Sequence, residues 1–289
     1  MSAFVDLTYR GTGGLSLYAR DYAGSAGPAR CPVVCIHGLT RNSGDFEDVA
    51  PWIAAQGRRV LALDVRGRGR SDRDPDPDRY HPRVYTDDTL KLLDDAGIAR
   101  AVFIGTSMGG IITMAIAAKR LRAIAAAVLN DVGPVIAMEG LNRIKGYVGK
   151  GSPVTTWDDA AAYIKSINGS AFPQNSMQDW HRWARRTFRE VNGKLELDYD
   201  PKIAASIQSA KLRPTSMLAK ILYKRLARNR PTLLIRGGNS DIVGAAEAQY
   251  MREAAPSLRY AEVPGVGHAP MLTEPQAQAA LAAFLAEVP

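Results

Sequence analysis

Ala101-Val-Phe-Ile-Gly-Thr-Ser-Met-Gly-Gly-Ile-Ile-Thr-Met-Ala-Ile-Ala-Ala-Lys-Arg120 is the stretch on which the fold turns. Ala101–Ile104 is apolar and reads as a buried strand, and Met108–Arg120 reads as a helix. Between them Gly105-Thr-Ser-Met-Gly109 fits G-x-S-x-G. Those three fixed positions recur by chance in many chains. Here a strand runs straight in and a helix straight out, the context in which a sharp, strained turn lifts a serine hydroxyl clear of the sheet. Small residues are needed on either side of Ser107, because a side chain there would collide with nearby backbone. Neither G-x-G-x-x-G nor G-x-x-x-x-G-K occurs in this turn, which argues against a phosphate loop.

The same alternation of strand and helix extends in both directions, and predicts an α/β fold with a mostly parallel central sheet and helices on both faces. Before the turn, strands are expected at Phe4–Tyr9 and Leu15–Tyr22, joined by a glycine-rich hairpin at 11–14. Strands at 32–36 and 59–63 follow, with helices at Ser43–Gln56 and Arg83–Asp95. After it come strands at Ile124–Leu129, 231–235 and Leu258–Val263, with helices at Ala245–Ala255 and Thr273–Ala286. From Val135 to Arg230 the alternation stops, and the chain reads as helical, polar and basic. The economical arrangement is a core of residues 1–134 and 231–289 with a helical lid, 135–230, inserted in it.

Composition sets bounds on function. Of the 289 residues 46% are hydrophobic and 23% charged, the balance of an ordinary globular protein. No apolar run approaches the ~18 residues that span a bilayer. The first residues carry no basic region followed by an apolar one, so the expectation is a cytoplasmic protein without membrane association. Cys31 and Cys35 lie four apart in a predicted strand, ~13 Å at ~3.3 Å per residue, too far for a disulfide. They also make a poor metal site. The net charge of +8 is concentrated: residues 135–230 hold 17 Lys+Arg against 8 Asp+Glu. The excess belongs to the lid surface rather than to the fold.

A serine hydroxyl needs an adjacent base to act as a nucleophile. His268 lies in the loop Val263-Pro-Gly-Val-Gly-His268, between a strand and the last helix, where α/β sheets bind ligands. His81 and His181 read as surface residues, and His37 as part of another strand-end loop. An acid must orient the base. Asp241, after Gly237-Gly-Asn-Ser, gives the order Ser107, Asp241, His268 and is preferred; Asp131, after the Ile124–Leu129 strand, is the rival. The oxyanion of acyl transfer needs two backbone N–H groups, and the candidates are those of Met108 and Leu39. Arg41, Trp157 and Trp183 are candidate substrate contacts.

His37-Gly38, Asp64-Val-Arg-Gly-Arg-Gly-Arg-Ser71, Gly105-Thr-Ser-Met-Gly-Gly110, Gly237-Gly-Asn-Ser-Asp241 and Gly265-Val-Gly-His268 occur in an order that resembles the α/β-hydrolase superfamily. The resemblance runs from about residue 5 to the C-terminus and points to its bacterial esterase, lactonase and ring-fission branch. It implies no cofactor and no metal. Dehalogenases and epoxide hydrolases of this fold use an aspartate nucleophile, whereas position 107 is serine. Carbon–carbon bond hydrolases usually carry Gly-Pro-Gly after His-Gly, whereas this chain has Leu39-Thr-Arg-Asn42. The expected activity is therefore hydrolysis of a small-molecule carboxylic ester or lactone. An acyl-CoA thioesterase, a carbon–carbon bond hydrolase and a cofactor-free perhydrolase are the alternative enzymes. Binding an anionic partner through the basic lid is the non-enzymatic one; nucleic acid is not expected.

Overall fold

The structure is a computed structural model that describes residues 4–25, 30–150, 154–205 and 216–289. Most of the loop expected at 25–30, and residues 206–215 of the expected lid, lie outside the described residues. Eight strands form one sheet: β1 Val5–Arg10, β2 Ser16–Tyr22, β3 Val33–Ile36, β4 Val60–Asp64, β5 Ala101–Thr106, β6 Ile124–Asn130, β9 Thr232–Gly237 and β10 Arg259–Val263. Their spatial order is β1-β2-β4-β3-β5-β6-β9-β10. β1, β2 and β4 pair antiparallel, and every pair from β4 through to β10 is parallel.

Period-two alternation sends successive side chains to opposite faces. Val34 and Ile36 of β3 join one core, with Leu92 and Ile116; Val33 and Cys35 join the other, with Ile53 and Phe284. Helices α2 (Pro82–Asp95) and α3 (Met108–Arg120) cover the first face, and α1 (Val49–Ala54) the second. Covered on both sides, β3, β4, β6 and β9 are buried at every residue. The helix expected over Ser43–Gln56 is a 3-10 turn, Ser43–Phe46, followed by α1. Asn42 caps the turn, its side chain accepting the Gly44 N–H, and the Ser43 N–H donates to Asp64 Oδ1 at 2.6 Å.

The inserted segment holds α4 (Met138–Tyr147), α5 (Trp157–Asn168) and α6 (Met177–Thr187), then an antiparallel hairpin of β7 (Phe188–Val191) and β8 (Lys194–Leu197). The wholly helical reading missed this hairpin. α5 and α6 begin at reciprocal capping boxes, Thr156 with Asp159 and Ser176 with Asp179. They enclose a separate apolar cluster around Trp180, Phe172 and Ile164. The next helix, α7 (Met217–Ala227), packs Tyr223, Leu226 and Ala227 into the sheet's own core rather than into that cluster. α8 (Ala245–Ala254) and α9 (Pro275–Glu287) complete the two faces. Among the described residues, no helix is long and apolar enough to cross a membrane. Cys31 and Cys35 are both free thiols.

Candidate active site

Strand β5 ends at Thr106, and Ser107 sits at φ 51°, ψ −114°, before α3 begins. The glycines around it are required by space. A Cβ on Gly109 would stand 2.0 Å from the Ile36 carbonyl oxygen, and one on Gly105 2.5 Å from the backbone of Gly109 and Gly110. The turn therefore presses α3 against the ends of β3 and β5 and leaves the serine at the crest.

His268 reaches this crest from the loop after β10. Its Nε2 lies 2.9 Å from Ser107 Oγ, and its Nδ1 lies 2.7 Å from Asp131 Oδ2. A carboxylate accepts only, so Nδ1 carries the proton and donates to Asp131, and the bare Nε2 accepts from the Ser107 hydroxyl. Asn130 steadies the arrangement, its Nδ2 donating to the Pro270 carbonyl at 2.8 Å and to Thr106 Oγ1 at 3.0 Å.

The carboxylate that meets His268 is that of Asp131 and not, as preferred from the sequence, that of Asp241. Asp131 follows β6 directly, is fully buried, and turns through φ 55°. Its N–H donates to the Ile235 carbonyl, which places it beside β9. Besides His268, its carboxylate accepts the Gly237 N–H at 3.0 Å and the Ser240 hydroxyl at 2.6 Å. The Gly237–Asp241 stretch thus supplies the donors that hold the acid, not the acid itself. Asp241 stands at the far end of that loop and takes a two-pronged hydrogen bond from Arg143 of α4, at 2.5 and 2.9 Å. That guanidinium holds the Asp241 carboxyl below the usual range despite its partial burial. No signal in the sequence pairs Arg143 with Asp241, since the two lie almost a hundred residues apart.

Leu39 follows the end of β3, and Met108 opens α3 directly after Ser107. Among the described residues neither backbone N–H donates to any acceptor, which leaves both available to a ligand. His37 is fully buried, and burial pushes its imidazole down to about 3. It is neutral: Nδ1–H donates to the Gly38 carbonyl at 2.6 Å and Nε2 accepts the Val65 N–H at 3.0 Å. Gly38 C=O and Leu39 N–H belong to one trans peptide and point opposite ways. Holding the carbonyl therefore sets the direction of the N–H.

The cavity beside Ser107 and His268 is small, about 100 Å³. Phe46, Ile144, Ile164 and Trp183 give it apolar walls, with Arg41 and Arg143 as its cations. Two of the three expected contacts line it. Arg41 does so with its charge held by Asp45 and its Nη1 on the Thr187 hydroxyl, beside the Trp183 ring. Trp183 stacks on Trp180, 5.7 Å between centroids. Trp157 is a correction: it does not line the cavity, and its ring lies under Arg185 on the lid, 4.5 Å away. Among the described residues, no three His, Cys, Asp or Glu side chains come together as a metal site.

The alpha/beta hydrolase fold family matches residues 32–275. A 3-hydroxybutyrate-oligomer hydrolase of Cupriavidus necator is 32% identical over 255 residues, 86% of either chain. A 2-(acetamidomethylene)succinate hydrolase of Mesorhizobium japonicum is 26% identical and matches over 80% of this chain and 79% of its own. The crystal structure of an alpha/beta hydrolase from Novosphingobium aromaticivorans, 41% identical, superposes with a TM-score of 0.92 over 99% of both chains. Fold, sheet order and these likenesses agree: the chain belongs to the alpha/beta hydrolase family.

Proposed function

We propose that this hydrolase cleaves short-chain carboxylic oxoesters through an acyl-enzyme on Ser107, with His268 as base and Asp131 as its orienting acid. The observation that carries the reading is the unbroken hydrogen-bonded line from Ser107 Oγ through both nitrogens of His268 to Asp131. As Ser107 Oγ attacks the ester carbonyl, its proton passes to His268 Nε2, and Asp131 stabilises the imidazolium. The carbonyl oxygen takes up negative charge within reach of the Leu39 and Met108 amides. The alcohol departs with the proton from His268. Water then repeats the sequence on the acyl-enzyme and releases the acid.

Two features support a short oxoester. The cavity of about 100 Å³ has room for a few heavy atoms beside Ser107. The Cupriavidus necator relative is named for oligomers of 3-hydroxybutyrate, whose links are oxoesters of a short hydroxy acid. A thioester of coenzyme A has less support. Arg186, on the lid helix that would meet its phosphates, is held by Glu47 and Asp48, and Arg185 lies over Trp157.

The test is turnover of 4-nitrophenyl esters from acetate to decanoate by the wild type and by Ser107→Ala. The expected result is a preference for the shortest chains and a loss of ~10³-fold or more in the variant. Equal turnover by both proteins would refute the reading.

A further inference from the structure

The Asp64–Ser71 motif carries three arginines, and they are not alike: Arg66 and Arg68 are buried, whereas Arg70 is exposed. Arg66 is paired with Asp74 and Asp88, and Arg70 with Asp6. Arg68 is 1% exposed, yet among the described residues no carboxylate lies within 4.0 Å of its nitrogens. A buried guanidinium without a counter-charge is expensive to keep. Its compensation is a set of neutral partners. Nε donates to the Leu39 carbonyl at 2.9 Å, and Nη1 to the Arg66 carbonyl at 2.8 Å and the Tyr85 hydroxyl at 3.0 Å. Nη2 lies 3.6 Å from Met108 Sδ, and the charge stands 5.0 Å from the Tyr85 ring centroid.

Two of these partners, Leu39 and Met108, are the residues whose amides would meet the oxyanion in the acyl-transfer reading. His37 holds the carbonyl before Leu39 N–H, and Arg68 holds the carbonyl after it. With both neighbouring carbonyls fixed, that N–H has one direction. The backbone around Arg68 is itself clamped: Gly69 N–H donates to the Asp198 carbonyl and Asp200 N–H to the Gly67 carbonyl, both from the segment leaving the lid.

We propose that Arg68 is the positioning residue of the oxyanion hole, fixing the Leu39 peptide and the Met108 side chain and setting an unneutralised positive charge behind them. The inference rests on the acyl-transfer reading of Ser107, His268 and Asp131. A fixed charge in a dry site acts most on charge that develops there. The substrate carbonyl is neutral and the tetrahedral oxygen anionic, so Arg68 favours the transition state over the bound ester. Its effect belongs in kcat rather than in KM.

Wild type, Ser107→Ala, Arg68→Lys and Arg68→Met are compared for kcat and KM on 4-nitrophenyl acetate, for Tm, and for inhibition by an alkylboronic acid. The boronate forms an anionic tetrahedral adduct on a serine, and so reports the oxyanion hole without turnover. In Arg68→Met, kcat should fall about ten- to hundred-fold with KM little changed, and boronate inhibition should weaken by a similar factor. Arg68→Lys should recover part of both. A folded Arg68→Met with unchanged kcat and boronate affinity overturns the proposal. So does a loss confined to KM, or failure of both Arg68 variants to fold, which would make Arg68 a residue of the core alone. Turnover surviving in Ser107→Ala would remove the acyl-transfer reading instead, and is read in the same assay.

Discussion

Gly109 is the residue at which sequence and site are most tightly bound. Its Cβ would stand 2.0 Å from the Ile36 carbonyl oxygen, so neither strand nor helix can yield without moving Ser107. Gly109→Ala should lower stability by about 2–4 kcal/mol, read as a drop in Tm, and reduce ester turnover along with it. This constraint was legible in the sequence because it is local: five consecutive residues between a strand and a helix state it. The acid was not. Asp131 and Asp241 both follow strands, and the choice depends on which loop end meets His268 and which meets Arg143. The left-handed turn at Asp131 and the Ser240 hydroxyl that holds it are contacts between distant segments, and no spacing rule encodes them. Arg68 was hidden for the same reason: as sequence it is one arginine of three.

The lid elements show what amphipathic pattern can and cannot report. α5 and α6 announce themselves by their capping boxes, whereas the β7–β8 hairpin is polar and half-exposed and imitates a helical surface. α7 falls in the stretch where the strand–helix alternation stops and so reads as lid, yet Tyr223 and Leu226 bury one of its faces against the sheet. At the lid's first helix, the Arg143–Asp241 pair fastens α4 to the loop after β9. Arg143→Ala should therefore raise KM several-fold and lower kcat less, a split that steady-state kinetics on a short ester reads directly. At the lid's return, Asp198 is raised to about 6 by burial and by the neighbouring Asp64. A carboxyl whose folded pKa exceeds its unfolded value stabilises the fold at low pH, and that stability is lost as pH rises through about 6. Asp198→Asn, which keeps a group able to accept from Asn42, should raise Tm at pH 7.5, and the gain should vanish at pH 4. A lower Tm for the variant at pH 7.5 would contradict this.

Across the protein, the sheet brings three strand ends to one edge, and each delivers one part of the site. β3 carries the Leu39 amide, β5 carries Ser107 and β6 carries Asp131, and the loop after β10 closes the line with His268. The α/β architecture was legible because strands buried on both faces are written as short apolar runs, and all eight strands of the sheet stand where the sequence places them. The lid's charge, which suggested an anionic partner, is partly internal to the structure: Arg186 reaches across to Glu47 and Asp48 of the core. What remains to be tested most directly is the line from Ser107 to Asp131. The measurement is kcat on 4-nitrophenyl acetate for Asp131→Asn and Asp241→Asn beside the wild type. The account expects Asp131→Asn to lose on the order of 10⁴ in kcat, with Asp241→Asn within about tenfold of the wild type. A large loss in Asp241→Asn with Asp131→Asn near wild type would contradict it.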